Sequence, residues 1–303
     1  MPGQTDLVYA AHPQLRRPCL VIGLDGWVDG GQAATGSVAY MRGRLRSKKL
    51  AEMSAERFNL YQIPGQLSMR PHCRVEEGLL QEYRPLKNLF HYYQNPRGEN
   101  DLILFQGTEP TMNWQGYAEA ILEVAREFAV SRIYMLGGVL DATPHTREPL
   151  VSCVCSNPAL RDELRDCGIK PINYLGPGGI RTKLVFMCQR IPIEMAVLHV
   201  GVTYYRKFNV MVAHNPKSIR ALVKTLDRLM HLGLNLNNLD QETAAFEMQM
   251  GYLALQNREF RDYIEKLEKD YSLFNGETAQ EIAAHEAVQA VEELLRDSAD
   301  DEE

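Results

Sequence analysis

Short apolar runs that stop at or near glycine or aspartate alternate with helix-forming stretches along the first three-quarters of this chain. The apolar runs are residues 19–24, 102–105, 133–136, 151–155 and 195–200. The helical stretches are residues 32–45, 114–128, the segments that follow Pro158 and Gly179, and 216–230. A strand that is apolar on both sides has to be covered on both sides, so the pattern predicts an α/β fold. We expect a three-layer α/β/α sandwich around a mixed, mostly parallel sheet.

The pattern changes near Leu232, where a helical period replaces the alternation. Steps of four and three residues connect Phe246, Met250, Leu253, Asn257, Phe260, Ile264, Leu267, Tyr271 and Phe274, and eight of these nine residues are apolar. Such a repeat predicts a long amphipathic helix with a coiled-coil-like seam. Asn275 and Gly276 then supply a helix stop. A second amphipathic stretch follows up to about residue 295, so we expect a C-terminal helical hairpin.

This change of pattern divides the chain into a core domain of residues 1–235, a helical extension of residues 236–295 and a tail of residues 296–303. The tail contains five acidic residues and one basic residue and is expected to be disordered. The seam of the extension can pack against the core of its own chain, or it can form a subunit interface in a homo-oligomer. The candidate interface residues are Phe246, Met250, Leu253, Phe260, Ile264 and Leu267.

Charge and composition exclude several classes of function. The net charge is −6, which argues against a nucleic-acid binder or a polybasic membrane-surface protein. No apolar run approaches the ~20 residues of a membrane-spanning helix, and no secretory signal is recognisable near Met1. Six cysteines in 303 residues are too few for a disulfide scaffold and lack zinc-type spacing, so we expect reduced thiols, a cytoplasmic location and no metal. Signatures of nucleotide-binding loops, zinc proteases and serine hydrolases are also missing, so no cofactor is expected.

Four loops rich in glycine and polar residues follow the apolar runs, at residues 25–32, 106–111, 137–147 and 176–179. In open α/β sheets ligands bind at the carboxyl ends of parallel strands, where such loops converge. The loops supply the candidate ligand-binding residues Asp25, Trp27, Asp29, Gly30, Glu109, Asp141, His145, Thr146, Arg147, Gly178 and Gly179. We expect them to meet at one end of the sheet, with Arg147 paired to Asp29 or Asp141.

Each of these loops also has a purely structural interpretation. Asp141 and Arg147 can pair to brace a long loop, and Asp25 and Asp29 can cap the helix that follows. Trp27, like Trp114, can be a packing lid over the sheet end or an anchor for a partner, because Trp is prominent in interface hot spots.

Taken together, the loops resemble those of the proteasome assembly chaperone 2 family. Residues 26–34 (Gly-Trp-Val-Asp-Gly-Gly-Gln-Ala-Ala) are similar to its Gly-Trp-x-Asp-Ala-Gly-x-Ala-Ala stretch, and residues 137–147 resemble its Gly-Gly…Pro-His-Thr-Arg loop. Residues 176–184 and 215–222 resemble its Gly-Pro-x-x-hydrophobic-x-Thr-x-Leu stretch and its Asn-Pro-x-Ala helix start. The resemblance covers about residues 5–240.

The resemblance implies a phosphorylase/hydrolase-like α/β/α fold and self-association into small symmetric assemblies. Eukaryotic relatives bind proteasome α-subunits, and the family has no established catalytic residues. Chaperones of this group that dock on proteasome rings often end in a hydrophobic residue, Tyr and any residue, whereas this sequence ends Asp300-Asp301-Glu302-Glu303. We therefore do not expect docking by a C-terminal tail.

Two functions follow from these observations. The first is a non-catalytic, oligomeric, assembly-chaperone-like protein that acts through contacts with itself and with a protein client. The second is a small-molecule hydrolase or phosphorylase-like enzyme, or a ligand sensor, that uses the loops at the strand ends. The second rests only on the fact that folds of this kind often contain small-molecule sites.

Overall fold

The computed structural model describes residues 7–61 and 70–273 of the chain. These residues contain twelve strands and seven α-helices. The strands are β1 (Leu7–Tyr9), β2 (Cys19–Asp25), β3 (Lys48–Met53), β4 (His72–Glu76), β5 (Leu79–Arg84), β6 (Asn88–Tyr93), β7 (Leu102–Thr108), β8 (Arg132–Asp141), β9 (Val151–Cys155), β10 (Lys170–Pro171), β11 (Glu194–Tyr205) and β12 (Val210–Met211). The helices are α1 (Ala33–Arg44), α2 (Trp114–Glu127), α3 (Pro158–Asp166), α4 (Ile180–Cys188), α5 (Pro216–Met230), α6 (Asn237–Gln256) and α7 (Arg258–Leu273).

Ten strands form one mixed sheet, in the order β1-β3-β6-β7-β2-β8-β11-β9-β10, with β12 paired to β11. The four central neighbours β7, β2, β8 and β11 run parallel to one another. On either side of them the direction reverses, because β6 is antiparallel to β7 and β9 is antiparallel to β11. The prediction of an α/β fold with a mixed sheet is confirmed.

The central strands bury side chains on both faces of the sheet. In β2, Leu20 and Ile22 belong to a hydrophobic cluster that also contains α2 and α4. Val21, which points the other way, belongs to a second cluster built with α1, α3 and α5. Because both faces are covered, the strand needs apolar residues at every position, which explains the continuous runs in the sequence.

All five strands and all five helices predicted for the first three-quarters of the chain are present. Strands β1, β3 and β6, on one side of the parallel centre, were not predicted, because β1 has only three residues and the sequences of β3 and β6 mix polar and apolar residues. Strand β8 is also longer than expected. It continues through Gly137 and Gly138 to Asp141, residues that the sequence predicts to be loop, and β11 pairs with it along the whole extension. Pairing with a long neighbour therefore extends the strand past the two glycines.

Strands β4 and β5 form a separate two-stranded sheet. Its large apolar side chains are all more than half exposed; they are Val75, Leu79, Leu80 and Tyr83. We call this segment the exposed hairpin.

The predicted continuous helix from residue 246 to 274 is wrong, because α6 ends at Gln256 and α7 begins at Arg258. Between them Asn257 has an extended backbone, and its side-chain oxygen accepts a hydrogen bond of 3.1 Å from the Phe260 N–H. An Asn at this position is a good helix N-cap. It therefore starts a new helix where the heptad pattern alone predicts continuation.

Most of the seam faces the chain's own core. Phe246, Met250, Phe260 and Ile264 are buried in a cluster around Tyr205 of β11, and Leu267 packs against this cluster. Leu253 is the exception, with 38% of its surface exposed. Intramolecular packing, one of the two alternatives for the seam, therefore accounts for these side chains.

The predicted second helix of the hairpin, up to residue 295, and the acidic tail lie outside the described residues, as does Phe274. No helix within residues 7–61 and 70–273 combines the length and the apolar character needed to cross a lipid bilayer.

Candidate functional site

The carboxyl ends of β7, β2, β8 and β11 lie at the same edge of the sheet, because these strands are parallel. Beyond β2 the chain stays close to β8: Asp29 forms a parallel bridge with Gly138, whose N–H donates to the Val28 carbonyl at 3.0 Å. We call this edge, with its loops, the strand-end surface. The predicted residues belong to these loops, and their contacts divide them into two groups. The first group surrounds Glu109, after the end of β7, and the second surrounds His145, after the end of β8.

Tight packing of backbone at this edge depends on glycine at two positions. A Cβ at Gly138 would lie 2.5 Å from the Gly30 carbonyl oxygen. Gly31 has a φ of +58°, and a Cβ there would lie 2.7 Å from the Cβ of Asn215. Only glycine tolerates such contacts and such a φ without strain. Gly138 of β8 and Gly31 of the loop 25–32 therefore let this loop approach β8 and α5 closely, and the Gly30 backbone takes part in the same packing.

Asp29 holds the start of α1. Its Oδ1 accepts hydrogen bonds from the N–H groups of Ala34 (2.7 Å) and Thr35 (3.1 Å), and its Oδ2 accepts one from the Thr35 hydroxyl. Burial nevertheless raises the pKa of Asp29 to about 6, because the loss of solvent outweighs these hydrogen bonds. The capping interpretation therefore describes Asp29. Asp25 does not cap the helix; it is exposed at the end of β2.

A charged pair lies beneath the loops at residues 25–32 and 176–179. The guanidinium of Arg181, in the first turn of α4, is 3.6 Å from Oε2 of Glu109 (Nη1 to Oε2). Arg181 is only 5% exposed, and it also donates to the carbonyl oxygens of Val28 (3.2 Å) and Leu136 (3.4 Å). Burial lowers the pKa of Arg181, and Glu109 opposes this effect. The pair ties α4 to the ends of β2, β7 and β8.

Glu109 also fixes the two loops above it. Its Oε2 accepts a hydrogen bond of 3.0 Å from the Trp27 N–H. Its Oε1 lies beside Gly179, 3.4 Å from the position that a Cβ there would occupy. Gly178 is exposed next to it. One carboxylate thus organises the Trp27 loop and the start of α4.

His199 completes this first group and was not predicted. It lies on β11 opposite Gly137, where a Cβ would approach the imidazole Cδ2 to 2.8 Å. Burial and the nearby charge of Arg181 lower the pKa of His199 to about 4, so the imidazole is neutral at pH 7. Among the described residues, neither its Nδ1 nor Nη1 of Arg181 has a hydrogen-bond partner.

The second group lies at the end of β8 and joins the sheet to the C-terminal helices. The hydroxyl of Tyr205 accepts from the His145 N–H at 2.9 Å and lies 2.7 Å from its Nδ1. The buried Lys217 of α5 donates to the His145 carbonyl at 2.6 Å and forms an ion pair with Glu247 of α6. Burial lowers the pKa of His145, and the nearby charge of Lys217 lowers it to a smaller extent. This His is therefore a satisfied structural residue.

The predicted pairing of Arg147 is wrong. Its side chain is exposed, and no carboxylate of the described part of the chain lies within ion-pair distance of it. Asp141 instead accepts hydrogen bonds from the Ala142 N–H (2.7 Å) and the Thr143 hydroxyl (2.9 Å), and Thr146 donates to Glu268 of α7. The buried arginine of this edge is Arg181. The sequence signal that could have found it is an arginine at the second position of a helix that opens with glycines.

Large apolar side chains surround the first group on the outside. Trp27 is 71% exposed, Tyr174 is 54% exposed and Leu175 is 90% exposed. Trp114 is less open, and its indole N–H donates to the Pro110 carbonyl at 2.9 Å. Within residues 7–61 and 70–273, no group of three or more His, Cys, Asp or Glu side chains is placed to hold a metal ion. The site thus presents exposed apolar side chains on loops that are attached to a buried ion pair.

Comparison with known proteins gives a consistent result. A PAC2 family protein from Streptomyces avermitilis is 28% identical, over 81% of this chain and 99% of that protein, with a TM-score of 0.68. A proteasome-assembly chaperone homologue from Mycobacterium tuberculosis is 26% identical over the same shares, with a TM-score of 0.70. PbaB from Pyrococcus furiosus, an archaeal proteasome activator, shares the fold at 19% identity, over 82% of this chain and 97% of its own, with a TM-score of 0.62.

No curated protein gives a significant match to the sequence. The sequence model of the PAC2 family, in contrast, matches residues 23–254, which include the end of β2, the strand-end loops and most of α6. This chain therefore belongs to the PAC2 family.

Proposed function

We propose that this protein is a non-catalytic, assembly-chaperone-like protein that binds other protein subunits, including copies of itself, through the strand-end surface. The observation that carries the proposal is the set of exposed apolar anchors Trp27, Tyr174 and Leu175 on a rigid support. Exposed apolar groups of this size mark interaction sites, and Trp and Tyr are prominent in interface hot spots. The relative from M. tuberculosis, named a proteasome-assembly chaperone homologue, supports the same conclusion.

Rigidity makes these anchors suitable for binding. The Trp27 backbone is hydrogen-bonded to Glu109, and the loop that carries Leu175 enters α4 beside the same carboxylate. Glu109 is in turn paired with Arg181. Anchors that are held in place before binding lose less conformational entropy on association. The buried charges thus serve the surface above them rather than a reaction.

The exposed hairpin extends the binding surface. Strand β6, which follows the hairpin, begins at Asn88, whose Oδ1 accepts a hydrogen bond of 2.9 Å from the Thr108 N–H at the end of β7. The hairpin therefore leaves the body of the protein next to the strand-end surface. An isolated two-stranded hairpin is at best marginally stable in water. A bound subunit would bury its four large apolar side chains.

The expected location of such a protein is the cytoplasm. All six cysteines are free thiols, including the buried Cys19, Cys153 and Cys188. Free thiols are typical of reducing compartments. A protein client there is compatible with the net charge of −6, which disfavours nucleic acid.

A photocrosslinking experiment tests the proposal. The photoreactive residue benzoyl-phenylalanine is placed at Trp27 or at Leu175, and the full-length protein is irradiated in the cells that produce it. The matched controls carry it at Met248 or Leu255 of α6, which are comparably exposed. We expect both strand-end positions to crosslink to the same few subunits, a second copy included. Crosslinks no more frequent than those of the controls would contradict the proposal.

A second candidate is the enzyme or ligand sensor, which one observation favours. Within the described residues, Nη1 of Arg181 and Nδ1 of His199 are buried without hydrogen-bond partners. Nη1 has only the longer contact of 3.6 Å with Glu109, so it keeps a hydrogen-bond donor for a small anion such as phosphate or a carboxylate. Isothermal titration of the protein with inorganic phosphate and with acetate checks this candidate. Binding that is lost in Arg181→Met would favour it over the first proposal.

A further inference from the structure

Five of the eight residues from 42 to 49 are arginine or lysine, in a chain whose net charge is −6. They lie at the end of α1, in the turn that follows and at the start of β3; they are Arg42, Arg44, Arg46, Lys48 and Lys49. We call them the basic patch. No aspartate or glutamate occurs between Asp29 and Glu52 in the sequence.

The basic patch is compact and largely unpaired. Arg44, Arg46, Lys48 and Lys49 are exposed. Within the described part of the chain, its only ion pair within 4 Å joins Lys49 to Glu52 at 2.6 Å. The pKa of His91 of β6 is lowered to about 4, chiefly by burial and also by the charges of Arg42 and Lys49. The end of α1 and the start of β3 are therefore close in space.

Stabilisation of α1 explains only part of this patch. Cations in the last turn of a helix interact favourably with its dipole, which accounts for Arg42 and Arg44. Arg46, Lys48 and Lys49 lie beyond the helix, and Arg46 has a φ of +50° in the turn. Placing like charges side by side costs free energy unless an anionic partner offsets it.

The sequence itself contains a partner of opposite charge. Residues 274–303 have ten acidic residues and one arginine, a net charge of −9, so residues 1–273 have a net charge of +3. Five of these acids, and no cation, lie within residues 297–303, which we call the acidic segment. Residues 274–296 can span at most ~80 Å, at ~3.4 Å per residue. A folded body of this size is only ~50 Å across, so the acidic segment can reach any part of it.

From this complementarity we propose that the acidic segment binds the basic patch of its own chain. The patch lies at the amino ends of the parallel strands, the edge opposite the strand-end surface, because β3 runs parallel to β7 and β2. The proposal is therefore independent of the proposed function. A network of several charges makes the contact stronger than an isolated surface pair.

Carbodiimide crosslinking of the full-length protein tests the contact, because this reagent joins a lysine amine directly to a carboxylate. Equal amounts of unlabelled and ¹⁵N-labelled protein are mixed, and crosslinked peptides are identified by mass spectrometry. Lys224, an exposed lysine of α5, is the internal control. We expect Lys48 or Lys49 to be joined to the acidic segment at least about tenfold more often than Lys224. Crosslinks should fall by a similar factor in 1 M salt, where the Debye length is ~3 Å.

The double variant Arg44→Glu and Arg46→Glu should lose these crosslinks, whereas Lys224→Glu should keep them. Crosslinks of Lys48 and Lys49 that reach only Glu52, or that involve the acidic segment no more than Lys224 does, would overturn the proposal. Crosslinks that join labelled to unlabelled chains would also overturn it, since they assign the patch to a second copy. The readout on the unmodified protein decides the matter even if the double variant does not fold.

Discussion

At the scale of single residues, the buried pair of Arg181 and Glu109 determines how the strand-end surface is held. Both side chains are shielded from solvent, since Arg181 is 5% exposed and the Glu109 side chain is 12% exposed. If one partner is removed, water cannot take its place beside the other. Removing one member of a buried pair leaves the other charge without compensation, which costs more than the pair itself contributes.

We expect Arg181→Met or Glu109→Gln alone to lower the free energy of unfolding by about 3–5 kcal/mol. The double variant should lose less than the sum, because no unpaired charge remains buried. Urea denaturation followed by circular dichroism measures all three. Arg147→Met is the matched control and should cost no more than about 1 kcal/mol, because Arg147 is exposed. Equal losses at Arg181 and Arg147 would show that the pair does not brace the edge.

Asp29 predicts a pH dependence of stability. Its pKa of about 6 in the folded protein exceeds the ordinary value of 3.8, so between these pH values the unfolded chain loses the proton first. The free energy of unfolding should therefore fall by about 2 kcal/mol as the pH rises from 4 to 7. Asp29→Asn keeps an oxygen acceptor for α1 and should lack this contribution. Urea midpoints across the pH range measure the difference.

The matched control for this measurement is Asp166→Asn, at an exposed carboxyl of α3. It should keep the pH dependence of the unmodified protein. An Asp29→Asn variant with that same pH dependence would contradict the assignment.

At the scale of secondary structure elements, the cap at Asn257 divides the heptad pattern into two helices. The division lets α7 turn its apolar side chains onto Tyr205, where Phe260 packs edge-on with ring centroids 5.0 Å apart. The seam predicted from the sequence is real as a pattern. Its partner is β11 and the segment after it, rather than a single partner helix.

We expect Phe260→Ala to lower the free energy of unfolding by about 3 kcal/mol, since it opens a cavity beside Tyr205. Leu253→Ala, on the exposed side of α6, should cost no more than about 1 kcal/mol. Thermal and urea denaturation measure both variants. If Leu253→Ala proved the more harmful one and lowered the particle mass in sedimentation, the seam would be a subunit interface after all.

At the scale of the whole molecule, the parallel centre of the sheet gives the protein two different edges. The carboxyl ends of β2, β7 and β8 carry the apolar anchors, and the amino ends lie beside the basic patch. The direction of α1 causes this separation, because it starts at Ala33, beside Asp29, on one edge and ends at Arg44 near the other. The two proposed binding surfaces lie on opposite edges, so they can be occupied independently.

Local pattern alone determined the central strands, the helices and the sheet edge at which the loops meet. Full burial requires apolar residues along β2, β7 and β8, and an asparagine followed by a proline begins α3 and α5. Both signals lie in residues that are neighbours in the sequence. The tertiary structure decided which side chains meet. Arg147 and Arg181 are both arginines beside glycine-containing loops, yet only Arg181 is buried against Glu109. That choice depends on how α4 packs across β8, a contact between residues 45 positions apart that no short sequence pattern encodes.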